Sequence, residues 1–299
     1  MSDIGQLFLR YIFVRLNKNR NFVGNKCFYV MKSKLFLFVA LLCGIGVFAL
    51  TRSEYVAQSQ INSTENIIVE ETKLAMVIDS RKSKVISHLA YTVSYNDDWK
   101  LPNWVAYELT KQETMGEVER CNGFSPDPKV KGDAVVHKDY TNNPGKYDRG
   151  HMAPAADMKW SEQAMKESFY TTNICPQNAN LNRGDWNDIE ELVRDYAQRY
   201  ESVYVVCGPI VADKPEYMGN YQRIAIPDAF YKAILRKKGD SWTTIGFVCE
   251  NVAGSKPILY YIRTIDEIEN MANVDLFYAL PDDVENKIEG EDNIVDWAL

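Results

Sequence analysis

Seven short runs rich in β-branched and aromatic residues constrain this chain more than any other feature. They are Tyr91–Tyr95 (YTVSY), Trp104–Leu109 (WVAYEL), Val203–Cys207, Arg223–Ile226, Tyr231–Leu235, Thr243–Cys249 and Leu259–Arg263. Turn formers separate them, such as Asn96, Asp97, Asp98 and Pro102 between the first two, so they read as successive strands. Helices are fewer. Ser161 is placed to cap one over 162–168, and Asp185 another in which Trp186, Ile189, Val193 and Tyr200 fall near one face. Thr264 followed by Glu267 forms a capping box for IDEIENMA. Residues 121–146 hold Gly, Pro, Asp and Lys in quantity and read as loop. No strand–helix–strand alternation is present, so the expected class is α+β, a central antiparallel sheet flanked by helices.

The front of the chain is different. Leu35–Leu50 is an unbroken apolar run, preceded by Lys32 and Lys34 and followed by Thr51 and Arg52. Its length falls between a signal-peptide core and a membrane span of ~20 residues, and no small-x-small cleavage site follows. The basic flank should stay in the cytoplasm, which sends everything after Thr51 across the membrane. The expected location is therefore exported, periplasmic or extracytoplasmic, with an anchor in the membrane if the segment is not cleaved. Met31 makes a natural start, because MKSKLFLFVALL is a complete leader. The expected organisation is a leader over 1–51 with its signal or anchor at 35–50, a polar linker over 52–75 and one domain over 76–299.

Export permits disulfides, but Cys121, Cys175, Cys207 and Cys249 show no CxxC and no zinc-type spacing. Cys207 and Cys249 sit in strand-like runs and read as core. Charge argues at first against a polyphosphate partner. The chain carries −7, yet residues 1–51 contribute +6, which leaves −13 on the rest. Any phosphate site must then be local, and an acidic body excludes a structural DNA binder more than it excludes an enzyme that must release its product.

Of the three histidines, His88, His137 and His151, only the last has informative company. Asp148-Arg149-Gly150-His151 places a cation, a flexible residue and a proton acceptor side by side. Downstream follow Asn173 in NICPQ, Asn182 in LNRGDW, and Glu190 eight residues after Asn182. With these segments in view, DRGHMAPAADMKWS, FYTTNICPQNANLNRGDWNDIE and VYVVCGPIV resemble the DNA/RNA non-specific endonucleases, which include mitochondrial endonuclease G and secreted bacterial nucleases. The resemblance spans roughly residues 88–285, and AIPDAFYKAIL and LFYALPDDVE extend it.

The resemblance implies a ββα-metal motif embedded in the fold. It puts the general base on His151 and the metal ligand on Asn182, and assigns phosphate contact to Arg149 and Arg120. Hydrolysis of a phosphodiester needs a deprotonated water and relief of charge on the phosphate oxygens. An imidazole with a pKa of ~6.5 suits the first task near neutrality. Mg2+, with Mn2+ or another divalent ion as alternative, suits the second, and it retains enough waters for one Asn oxygen to anchor it. Were Asn182 to Glu190 one continuous helix, they would lie ~12 Å apart along its axis, which favours Glu190 holding metal-bound water over direct ligation. Asn173 is expected to orient the histidine or the substrate, and Asp148 to bond backbone or Arg149. His88 and His137 read as ordinary polar residues. Trp160 and Trp186 read as core more readily than as platforms for bases. Lys159, Lys166 and Arg183 are candidates for a local positive surface.

The expected partners are thus DNA and RNA, with the membrane added through 35–50 and a homodimer left open. Two other functions stay in view at this stage. The acidic body motivates a catalytically silent envelope protein that binds nucleic acid or a partner on the same fold, and a phosphodiesterase for small nucleotides would share the chemistry.

Overall fold

The computed structural model describes residues 74–299 apart from 133, 141–142, 144–146, 220, 222 and 291–292. The expected leader and most of the linker lie outside the described residues. Among the described residues no helix is long and apolar enough to cross a membrane.

The chain opens with β1 (Ala75–Val77), β2 (Lys84–Ser87), β3 (Thr92–Asn96) and the long β4 (Leu101–Thr110). Ala75, the last residue of the expected linker, is thus a strand residue and is buried. After the loop come β5 (Asp148–His151), α1 (Glu162–Ser168), β6 (Ile174–Gln177), α2 (Ala179–Arg183) and α3 (Asp185–Tyr200). Then follow β7 (Ser202–Ile210), β8 (Tyr217–Met218), β9 (Ile224–Ala225), β10 (Ala229–Lys238), β11 (Ser241–Glu250) and β12 (Ile262–Arg263). The chain closes with α4 (Ile265–Ala272), β13 (Val274–Leu276) and α5 (Asp282–Glu289).

Seven strands form one antiparallel sheet in the order β12-β11-β10-β7-β4-β3-β2, which agrees with the α+β reading. Both faces are covered, which explains why the central strands read as nearly continuous apolar runs and not as strict alternation. One face carries Val105, Tyr107, Val205, Cys207, Phe230 and Ile234 and packs on Trp186, Ile189 and Val193 of α3 and on Met152, Ala153, Ile174 and Cys175 around the β5–β6 pair. The other carries Trp104, Ala106, Val206, Tyr231 and Leu235 and packs on Ile265, Ile268 and Ala272 of α4, Ile288 of α5, and the small β1–β13 pair.

Local signals held where the chain supplied its own caps. Ser161 Oγ accepts from Ala164 N–H at the head of α1, and Thr264 and Glu267 form the reciprocal capping box of α4. Three readings need correction. Asp185 does not cap α3; Gly184 does, and the Asp185 carboxylate instead accepts from the Tyr261 hydroxyl and from Lys256 N–H. Leu259–Arg263 is mostly a 3-10 turn over Ile258–Tyr261, because Pro257 starts it and the Tyr261 ring is drawn to Asp185; only Ile262–Arg263 joins the sheet. The Arg223–Ile226 run yields the two-residue β9, which pairs with β8 outside the main sheet. Cys175, Cys207 and Cys249 are buried free thiols, in keeping with a core role.

Trp186 is fully buried and so is closed to bases; it packs 5.7 Å from Phe230 between α3 and the sheet. Trp186→Ala should cost about 3–5 kcal/mol, from lost transfer energy plus the cavity left behind, measured as a lowered urea midpoint of unfolding.

Candidate active site

The DRGH segment is β5 itself. It pairs antiparallel with β6 in the register Asp148↔Gln177, Gly150↔Cys175 and His151↔Ile174, and α2 follows directly. This hairpin and helix make the expected ββα unit. Gly150 is required by close approach, since a Cβ there would lie 2.1 Å from Gln177 Oε1. Gly184 serves at the next joint, with φ −117° and ψ −113° ending α2 and starting α3, and a Cβ there would meet the Asn180 carbonyl oxygen at 2.8 Å. The break means that Asn182 and Glu190 do not share one helix.

Two buried amides hold the unit in place. Asn173 is wholly enclosed: its Oδ1 accepts from Ala153 N–H at 2.9 Å, and its Nδ2 donates to the carbonyls of Ala153 (2.9 Å) and Ser168 (2.8 Å). Its carbonyl also accepts from Met152 N–H. Every polar atom of the side chain is committed to backbone, and the bonds to Ala153 hold the chain just after His151. Asn251 does the same for the entry to α2, accepting from Asn178 N–H and donating to the carbonyls of Pro176 and Pro227. Nothing in the spacing of the sequence signals Asn251.

His151 is 7% exposed, and its ring lies 4.8 Å from Phe169 and 5.4 Å from Phe124. Two cations sit on those same rings, Arg149 4.3 Å over Phe124 and Arg120 5.1 Å over Phe169. The structure thus gathers Arg120, Arg149 and His151 around one aromatic pair. Burial first, then Arg120 and Arg149, press the imidazole pKa down to about 3, so the ring is neutral at neutral pH. His151 Nε2 is buried without a hydrogen-bond partner.

Among the described residues, the Asp148 side chain bonds Asn182 and Arg183 and not Arg149. Its Oδ2 accepts from Asn182 Nδ2 at 3.0 Å and from Arg183 Nε at 2.8 Å, while its Oδ1 accepts from Arg183 at 2.7 Å. The consequence for Asn182 is direct: its amide nitrogen is occupied, and its carbonyl oxygen is the atom left to coordinate a cation. A single neutral oxygen on a partly exposed side chain fits a hard divalent ion that keeps most of its water. Arg149 is held from its other side, donating to His137 Nδ1 at 2.5 Å. His137, Tyr140, Asn143, Tyr147, Asp148 and Arg149 line a cleft of 290 Å3 beside the hairpin. His137, read as ordinary from the sequence, therefore positions a site arginine. A larger groove of 620 Å3, lined in part by Trp242, Leu280 and Val284, contains none of these residues.

Glu190 belongs to a different group. Burial raises its pKa to about 7, with Lys232 and Arg194 opposing and Asp157 pushing further up. Arg194 pairs with Asp157 at 2.9 Å, and Tyr107 donates to Asp157 at 3.0 Å. Lys232 is fully buried, with Nζ 4.6 Å over the Trp186 ring. This buried ionic group lies between α3 and the sheet. Two signals for it were present in the sequence: a lysine inside the apolar run AFYKAIL, and Arg194 four residues after Glu190 on one helix face.

Residues 74–283 match the family described as DNA/RNA non-specific endonuclease. The nuclease of Serratia marcescens is 30% identical over 224 residues, covering 72% of this chain and 83% of that protein. The mitochondrial nuclease EXOG of Homo sapiens is 33% identical over 205 residues, covering 62% of this chain and 55% of that protein. The chain spans about half the length of the EXOG relatives it matches. A crystal structure of the EndoG/EndoGI complex contains a chain that superposes with a TM-score of 0.62 at 29% identity, over 67% of this chain and 88% of that one.

The depressed pKa of His151 has a sign that can be measured. Between the ordinary pKa of 6.5 and about 3 the unfolded chain binds this proton and the folded chain does not, so stability falls as pH drops through that window. On acidification from pH 7 to pH 4 the chain should lose more stability than its His151→Gln variant, with the difference read from urea midpoints at each pH. Parallel losses in the two proteins would show that the folded ring is not held neutral.

Proposed function

Because the chain belongs to the DNA/RNA non-specific endonuclease family, we propose that it is a sugar-non-specific endonuclease that hydrolyses phosphodiester bonds of DNA and RNA with His151 as general base. The observation that carries this reading is the neutral imidazole of His151, enclosed by Phe124 and Phe169 with Arg120 and Arg149 stacked on the same rings.

A neutral ring has a lone pair to accept the proton of an attacking water, but a group with a pKa of about 3 is a weak base. Substrate relieves part of this. Burial, the larger cause, stays in place, but a phosphate docked against Arg149 and Arg120 offsets the two positive charges that add to it, so the base strengthens where and when the phosphate arrives. Water then attacks phosphorus, the bond to the leaving oxygen breaks, and the proton passes to His151. Guanidinium pairs well with phosphate oxygens, and the bond to His137 fixes the approach of Arg149. Asn182, its nitrogen held by Asp148, would hold a divalent cation, most simply Mg2+, through its carbonyl oxygen. Such an ion, when bound, neutralises charge on the phosphate and the leaving oxygen. Glu190, which titrates near neutrality inside the ionic group of Lys232, Asp157 and Arg194, acts on the site through its surroundings, consistent with a role behind the ligand and not as a ligand.

A local cation pair also reconciles an acidic chain with an anionic substrate, since Arg120 and Arg149 concentrate positive charge at one place. Export by the 35–50 segment, which lies outside the described residues, would keep such an enzyme away from the genome of its own cell.

The full chain with Mg2+ should degrade both plasmid DNA and RNA on a gel, and a chelator should abolish this. His151→Ala should lower the rate by at least ~10²-fold while leaving the far-ultraviolet dichroism spectrum unchanged, the scale expected for loss of a general base. Activity that survives both the chelator and the substitution would reject the mechanism.

A further inference from the structure

The sheet face opposite the hairpin is covered by α4 and α5, and their junction gathers carboxylates. Asp266 and Glu269 are one turn apart on α4, and Glu289 is the last residue of α5. An oxygen from each lies within 4.8 Å of the other two. We propose that Asp266, Glu269 and Glu289 form a second divalent-cation site, of the calcium class, that ties α4 to α5.

Burial is the observation that points to a ligand. Glu289 is only 7% exposed, yet its Oε1 has no hydrogen-bond partner, and Oε1 of neighbouring Glu285 is likewise buried and unpartnered. A buried carboxylate oxygen left without a donor is costly, and groups of this kind are normally paired or bound to metal. Glu289 also stands at the C-terminal end of its helix, where the backbone dipole disfavours negative charge. Among the described residues no lysine or arginine forms a salt bridge with any of the three, and of their carboxylate oxygens Glu269 Oε1 receives a backbone donor, Leu276 N–H at 2.7 Å.

The donor set selects the ion. Three carboxylates are hard oxygen ligands, suited to calcium or magnesium and poorly suited to softer metals. Carboxylate oxygens gathered within 4.8 Å of one another suit calcium, which accepts carboxylates in a flexible geometry, better than magnesium, which demands strict octahedral geometry and gives up its water reluctantly. Two ligands come from one helix and the third from another, so a bound ion would join α4 to α5 where both pack against β11. None of these residues takes part in the proposed catalysis, so the site is structural.

The test separates the two ions. Calcium binding is measured by equilibrium dialysis on the full chain carrying Asn182→Ala, which removes the proposed catalytic ligand, and on the same chain with Glu269→Gln or Glu289→Gln added. The expected result is one calcium per chain for Asn182→Ala and none for either double variant. Calcium a hundredfold above its Kd should raise the Tm of Asn182→Ala by about 5–10 °C and leave the double variants unmoved. Each Gln replacement preserves shape and relieves repulsion, so without calcium the double variants should melt no lower than Asn182→Ala. As a single change, Glu289→Gln should leave plasmid cleavage with Mg2+ intact. Absence of bound calcium in Asn182→Ala, or equal binding in the double variants, would overturn the proposal. A failure of Asn182 as catalytic ligand would appear instead as unchanged nuclease activity in Asn182→Ala, without bearing on this result.

Discussion

The site hangs on four residues paired to four. A two-stranded ribbon of that length is not stable by itself in water, so β5 and β6 exist as a pair because the protein buries them against the sheet and staples their flanks. Met152, Ala153, Ile174 and Cys175 supply the buried surface. Asn173 and Asn251 supply the staples, each spending its amide on backbone groups that would otherwise be buried unpaired. The absent Cβ of Gly150 lets the strands close with Gln177 packed over it. Arg149 and His151 are thereby carried on a rigid element, and Asp148, on the same strand, decides which atom of Asn182 is free.

Charge is arranged at two scales. The body is acidic, and the candidate site answers with two arginines stacked on two phenylalanines around one neutral histidine. Burial first and those cations second lower the proton affinity of the ring, so an anion that neutralised the cations would recover part of it. Across the sheet the carboxylates of α4 and α5 show the opposite case, in which burial and repulsion from neighbouring carboxylates raise Glu269 to about 7 and Glu289 to about 8.

Much of this was legible in the order of residues. Strands β3, β4, β7, β10 and β11 of the central sheet, the Ser161 cap, the Thr264–Glu267 box and the buried face of α3 all depend on side chains close in sequence, and they appear where local chemistry puts them, whereas the edge strand β2 had no such signal. The errors share a cause. Asp185 has the chemistry of a cap but is claimed by Tyr261, seventy-six residues away, and the same contact turns much of an apparent strand into a 3-10 turn. Trp186 and His137 could be placed only once the elements around them were known. One was closed off in the core; the other was brought to Arg149.

By itself the sequence determined which residue types were available and in what order: an arginine and a histidine two apart, an asparagine and a glutamate eight apart, and enough β-forming runs to build a sheet covered on both faces. Tertiary structure alone decided their states. It made His151 neutral, tied the amide nitrogen of Asn182 to Asp148, sealed Asn173 into the scaffold and set Glu190 beside Lys232, Asp157 and Arg194. The reason is physical: the protonation and orientation of a polar side chain depend on the dielectric and the partners around it, and those are supplied by segments that meet only when the chain has folded.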